Sequence, residues 1–138
     1  MSRTALVTGG SRGIGAAISI ALKAAGYKVA ATYAGNDEAA AKFTAETGIK
    51  TYKWDVGSYD SCAAGIAKVE ADLGPVEVLV NNAGIGSAGA VEENSVERAT
   101  RVLDINVVGV IRRSKAVLPH MRAQRGGRET FGRYQHEI

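Results

Sequence analysis

The stretch Thr8-Gly9-Gly10-Ser11-Arg12-Gly13-Ile14-Gly15 has the spacing that most directly suggests chemistry. It joins a short apolar run, Thr4–Thr8, to an Ala/Ile/Leu-rich segment, Gly13–Ala25. Glycines at a strand-to-helix junction let the backbone turn sharply and approach a pyrophosphate. The phosphate charge then meets the N–H groups at the helix N-terminus. No Gly-Lys-Ser/Thr follows, so a Walker-type site is excluded. The plain alternative is a tight turn without a ligand. Farther on, Asp55-Val56 follows a third strand-like run, and Asp55 can accept a hydrogen bond from an adenine amine. Its plain alternative is a cap or turn residue. Asn82-Ala83-Gly84 follows a fourth run and is small enough for a ribose to lie against its backbone. For Asn81-Asn82 the alternative is a set of hydrogen bonds that staple the turn to the strands.

The elements that must position these residues alternate along the chain. Thr4–Thr8 reads as a buried strand bounded by glycine, and Gly13–Ala25 as a helix stopped by Gly26. Lys28–Tyr33 is a second strand. Asp37–Thr47 is a second helix, with Asn36 or Asp37 as its N-cap and Gly48 after its end. Ile49–Trp54 is a third strand. Ser58–Leu73 is a third helix, capped by Ser58 and ended by Gly74-Pro75. Val76–Val80 is a fourth strand. Ser95 to about Met121 is one long helical pattern, interrupted near Gly109 and Pro119. Strands alternating with helices imply parallel pairing and right-handed crossovers. Continuous apolar strands imply a sheet covered on both faces. The expectation is therefore an α/β, three-layer, doubly wound parallel sheet of strand order 3-2-1-4. It should end after the fourth strand and its following helix, because Glu129–Ile138 lacks the apolar run of a central strand. Residues 1–128 read as one nucleotide-binding domain and residues 129–138 as an atypical tail.

Composition narrows the function classes. The chain has 138 residues, 46% hydrophobic and 22% charged, ordinary for a folded soluble domain. Cys62 is its one cysteine, so no internal disulfide forms. One Cys with His120 and His136 falls short of a structural zinc set, and no metal is expected. No apolar run approaches the ~18 residues of a membrane span. The N-terminus lacks the apolar core of a signal peptide, so the cytoplasm is expected. Residues 1–97 carry 8 Lys/Arg and 11 Asp/Glu, whereas residues 98–138 carry 9 and 3. The basic end reads as a solvated helix face and polar tail, and nucleic acid is not the expected partner.

Four segments in order carry a family resemblance. Thr8–Gly15 resembles the cofactor motif of the short-chain dehydrogenase/reductase family. Asn81-Asn82-Ala83-Gly84 resembles its second signature, and Asp55-Val56 resembles the pair that holds the adenine ring. Leu103-Asp104-Ile105-Asn106 is similar to the helix segment bearing the family's catalytic Asn. The resemblance runs from Ser2 to about Arg128, the N-terminal half of the family's Rossmann-type fold. Through Ile85 it looks most like the acetoacetyl-CoA reductase and 3-oxoacyl-carrier-protein reductase branch, and from Gly86 to Met121 it looks more like general carbonyl- or hydroxysteroid-type members. It implies cofactor contacts from Gly9, Ser11, Arg12, Gly13, Ile14, Gly15, Tyr33, Asp55, Val56, Asn82, Ala83 and Gly84. It also implies a catalytic role for Asn106. A carbonyl such as a 3-oxoacyl thioester would receive hydride from a nicotinamide while a Tyr protonates its oxygen. The family's long helix also commonly packs against a partner subunit, which implies a homo-oligomer or association with a full-length relative.

The choice of nicotinamide cofactor follows from charge. An NAD site usually carries an acid at the end of the second strand, bonded to the ribose 2′-hydroxyl. Here Thr32–Asn36 holds no carboxylate before Asp37, and Arg12 can pair with a 2′-phosphate, so NADP(H) is expected. The family's acid/base chemistry needs a Tyr with a Lys four residues later, which lowers the Tyr pKa from the same helical face. Tyr27, Tyr33, Tyr52, Tyr59 and Tyr134 are followed at that spacing by Ala31, Asp37, Val56, Ala63 and Ile138. Of the catalytic set only Asn106 carries over. The second reading is therefore a catalytically inactive dinucleotide-binding fragment or partner subunit.

Overall fold

The computed structural model describes residues 2–55, 57–85 and 89–131. The order is β1 (Thr4–Val7), α1 (Gly13–Ala24), β2 (Lys28–Tyr33), α2 (Asp37–Thr47), β3 (Lys50–Lys53), α3 (Tyr59–Leu73) and β4 (Val76–Asn81). A short 3-10 turn at Val91–Glu93 follows, then α4 (Val96–Leu103), a π turn (Asp104–Val108), α5 (Gly109–Ala123) and β5 (Arg128–Phe131). The strands form one parallel sheet in the order β3-β2-β1-β4-β5.

Side chains alternate across the strands, so one apolar run feeds two cores. Leu6, Ala30 and Leu79 point to the face covered by α3 and α5, with Cys62, Ile66, Val69, Val117 and Met121. Ala5, Val7, Val29, Ala31, Val78 and Val80 point to the other face, against Phe43 and the α1 residues Ile18 and Leu22. The helix starts follow from their caps. The Asn36 side chain accepts from the Ala39 N–H, and the Ser58 side chain from the Ser61 N–H. Gly48 ends α2 at φ 72°, a conformation that side chains with a Cβ rarely adopt.

Two expectations need correction. The sheet does not stop at β4. Arg128–Phe131 pairs with Val78–Asn81 in parallel register, and the residue-128 boundary falls on the first residue of that strand. The segment lacks an apolar run, but an edge strand is held mainly by its ladder. A side-chain pin adds to it, because Glu129 Oε1 accepts from Asn81 Nδ2 at 2.9 Å and also from Ser114 Oγ. The long helical pattern, in turn, breaks at the π turn that ends just before Gly109, while Pro119 lies inside α5 without ending it. No helix among the described residues is long and apolar enough to cross a membrane.

Candidate functional site

β1 delivers Thr8 to the carboxyl end of the sheet, where a buried hydroxyl must find partners. Thr8 Oγ1 accepts from the N–H groups of Asn82 (3.1 Å) and Ala83 (3.0 Å) and lies 3.3 Å from the Val80 carbonyl, to which it donates. Asn82 Nδ2 returns two bonds, to the carbonyls of Thr8 (3.1 Å) and Gly9 (3.2 Å). The Gly9 N–H donates to Thr32 Oγ1, and the Gly10 N–H to the Thr32 carbonyl. Ser19 Oγ on α1 donates to the Gly10 carbonyl at 2.9 Å. The turn is thereby tied to β2, β4 and α1 together.

Close approach explains the glycine at position 15. A Cβ there would sit 2.0 Å from the Gly9 carbonyl oxygen and 2.6 Å from Asn82 Nδ2. With hydrogen in its place, the first turn of α1 lies directly on the strand-to-helix turn. Gly9 and Gly13 also adopt positive φ, 63° and 56°. The start of α1 differs from those of α2, α3 and α4, which the side chains of Asn36, Ser58 and Ser95 cap. Arg12 occupies the cap position of α1 and makes no side-chain cap bond. The first N–H groups of α1 are thus uncapped donors at a positive helix end, which suits a phosphate. The exposed Arg12 side chain forms no ion pair among the described residues. Ser11 is half-buried, and Ile14 is an exposed apolar side chain on the same turn.

The other expected residues lie at neighbouring strand ends. Tyr33 closes β2, and its hydroxyl donates to Asp37 Oδ1 at 2.9 Å. Asp37 also meets Lys53 Nζ at 3.2 Å. The hydrogen bond from Tyr33, then Lys53, holds the Asp37 carboxyl below its usual range, and the same bond raises the Tyr33 phenol. The strand end is therefore not acid-free, since Asp37 folds back onto it with its charge matched by Lys53. Asp55 follows β3. Its Oδ1 accepts from the Gly57 N–H at 2.8 Å and its own N–H donates to Ser61 Oγ, so it shapes this turn. Val56 lies outside the described residues, as do His136 and Tyr134. Asn106 sits in the π turn. Its Oδ1 accepts from the Ile85 N–H (2.9 Å) and its Nδ2 donates to the Ile85 carbonyl (2.8 Å). A Cβ on Gly84 would come within 3.0 Å of Asn106 Oδ1.

The structure thus joins Gly9, Gly15, Asn82 and Ala83 in one network and Gly84 with Asn106 in a second. Tyr33 and Asp55 stand at the ends of adjacent strands, bonded within their own turns. Sequence reasoning did not single out Thr8 or Thr32 as site residues. The available signal was a hydroxyl residue at the buried end of an apolar strand, which must be paired. Cys62 is buried in the α3 core, where burial pushes its thiol up. His120 is exposed, 3.3 Å from Glu70.

A short chain dehydrogenase family model matches residues 3–128. The acetoacetyl-CoA reductase of Shinella zoogloeoides is 61% identical over 128 residues, which are 93% of this chain and 53% of that protein. A 3-oxoacyl-acyl-carrier-protein reductase of Mycobacterium avium is 38% identical over 128 residues, 93% of this chain and 48% of that one. A variant of actinorhodin polyketide ketoreductase, solved with NADPH, superposes with TM-score 0.87 at 35% identity, over 94% of this chain and 52% of that one. The chain spans about half the length of the curated relatives it matches.

Proposed function

The chain belongs to the short-chain dehydrogenase family, and from that premise we propose that its strand ends form the NADP(H)-binding half of a carbonyl reductase acting on a 3-oxoacyl thioester such as acetoacetyl-CoA. The observation that carries the reading is the uncapped start of α1, held against the turn by the Thr8–Asn82 network. Gly9, Ser11, Gly13, Ile14 and Gly15 would receive the pyrophosphate, whose charge the uncapped N–H groups and helix dipole favour. Asp55 and Val56 would meet the adenine, and Asn82, Ala83 and Gly84 a ribose.

Arg12 would pair with a 2′-phosphate, its guanidinium free of carboxylate partners among the described residues. Tyr33 would flank that ribose. Asp37, the nearest acid, has its charge taken up by Lys53 and its oxygen by Tyr33. That arrangement weakens its repulsion of a phosphate. Bound there, NADPH would supply hydride to a carbonyl carbon. Asn106 would act at the reacting end by fixing the Ile85 backbone.

The 138 residues contain no Tyr-x-x-x-Lys pair, so this chain alone should bind dinucleotide without useful turnover. That second reading, an inactive dinucleotide-binding fragment or partner subunit, is favoured by the missing pair. The exposed apolar side chains Leu103, Val107 and Ile111, at 62%, 53% and 59% exposure, form a face that a second copy would cover. Beside β5, Ile18, Leu22, Val78 and Val80 line an open groove, which suits association with a full-length relative. A single buried thiol fits a cytoplasmic protein.

Following NADPH absorbance with acetoacetyl-CoA tests the activity, and sedimentation tests the assembly. The expected result is an associated species turning over far below ~1 s⁻¹, roughly the lower end of common enzymes. A monomer with turnover at or above that rate would contradict the reading.

A further inference from the structure

Asn106 is held in a π turn, and such turns are uncommon because their wider hydrogen-bond ring is less favourable than an α turn. The Asp104 carbonyl accepts from the Gly109 N–H across that wide ring. Both ends of the Asn106 amide are spent on Ile85. The backbone after β4 is therefore only as well placed as the π turn.

Arg112 lies on α5, eight residues beyond Asp104. Its Nη2 approaches Asp104 Oδ1 to 2.5 Å and its Nη1 approaches Oδ2 to 3.3 Å. The same Nη1 stands 3.5 Å from the Asp104 carbonyl. The guanidinium thus grips the first residue of the π turn with both prongs from beyond its last residue. The Arg112 side chain is 19% exposed and that of Asp104 38%, so solvent screens the pair in part. Asp104 has a like-charged neighbour. A Cβ on Gly57 would lie 3.1 Å from Asp55 Oδ1 and 3.6 Å from Asp104 Oδ2, so the two carboxylates flank one small gap. Arg112 bonds Asp104, which favours its charged form, and the field of Asp55 adds to that.

We propose that the Arg112–Asp104 pair is a strap that positions Asn106, and through it the Ile85 backbone, in the dinucleotide cleft. The proposal deepens the cofactor-site reading and rests on it. By holding Asp104 at the start of the π turn, beside the Asp55 turn, Arg112 links the adenine end of the cleft to its reacting end. Arg112 is a positioning residue, since it acts through Asp104 and Asn106.

Amide hydrogen exchange on the 138-residue chain and on Arg112→Gln tests the strap. The Ile85 amide should exchange about tenfold faster in the variant, the equivalent of one lost charge-assisted hydrogen bond. Leu6 and Leu79 amides in the sheet should keep their rates. Arg112→Lys should not restore Ile85, because an ammonium lacks the planar fork. Asp104→Asn should reproduce the effect and serves if Arg112→Gln does not fold. NADPH affinity should fall several-fold in the same variants. Unchanged Ile85 exchange, acceleration in step with Leu6 and Leu79, or full rescue by Lys would each overturn the strap. If the unaltered chain fails to bind NADPH, the cofactor reading falls, while the Ile85 rates still judge the strap.

Discussion

Asn81 and Asn82 are neighbours in the chain, and their side chains enter two different networks. Asn82 binds the carbonyls of Thr8 and Gly9, and the hydroxyls of Thr8, Thr32 and Ser19 around it all have partners. Asn81 accepts from Arg113 Nε at 3.0 Å and donates to Glu129. Arg113 is fully buried, its Nη1 and Nη2 have no hydrogen-bond partner among the described residues, and burial pushes its pKa down. The first network closes largely on backbone groups that the sheet register already fixes. The second depends on long side chains, one of them a charge taken out of water. A satisfied polar network stiffens its surroundings, and a half-satisfied one costs stability. The Gly9–Gly15 end of this molecule should therefore be firm and the β5 end weakly held.

The largest expected effect breaks the firm end. Gly15→Ala places a methyl 2.0 Å from the Gly9 oxygen. Urea denaturation should show a loss of about 3 kcal/mol or more, at the upper end for overpacked sites, and NADPH binding should vanish. Next, Asn82→Ala removes two part-buried bonds to the Thr8 and Gly9 carbonyls. It should cost about 2 kcal/mol and weaken NADPH about tenfold. A stability change within about 0.5 kcal/mol, the range of ordinary surface substitutions, would erase the contrast.

The comparison sharpens at Arg113. Arg113→Met removes the buried, half-partnered charge and keeps much of its volume. Thermal unfolding should show a gain of about 1 kcal/mol, the relief of no longer burying the charge less the cost of the Asn81 oxygen left without its donor. A loss of that size would mean that the Asn81 network is as well satisfied as the Asn82 one.

The smallest effect is on acid stability. Arg112 holds the Asp104 carboxyl below its usual range. A carboxyl depressed in the folded state stabilises above its unfolded pKa, ~3.9, and loses that contribution as pH falls through the lower folded value. Arg112→Gln should therefore move the acid-unfolding midpoint to higher pH, and an unmoved midpoint would remove the pair from the balance.

Much of the sheet was legible because local chemistry dictated it. An apolar run ended by glycine marked β1, short runs between helical patterns marked β2, β3 and β4, and Asn36, Ser58 and Gly48 marked helix ends where the structure has them. The parallel order β3-β2-β1-β4 followed from the alternation. β5 was not legible, since Arg128-Glu129-Thr130 carries no apolar run and its pins to Asn81 and Ser114 span 48 and 15 residues. The π turn was hidden for the same reason, because its partners are Ile85 and the eighth residue beyond its start. In the candidate site, glycine spacing pointed to the turn, but Thr8 depends on amides 74 and 75 residues away. Asp37 lay just past the strand end that sequence reasoning treated as acid-free, and only folding turns it back onto Tyr33.

Calorimetric titration of the unaltered chain with NADPH and with NADH tests the central claim most directly. The turn at Gly9–Gly15 with its uncapped helix start should bind both dinucleotides, and Arg12 should make NADPH the tighter by about tenfold, the scale of one charge-assisted contact. An Arg12→Ala chain should bind the two alike. Failure to bind either dinucleotide, or equal affinities in the unaltered chain, would contradict the account.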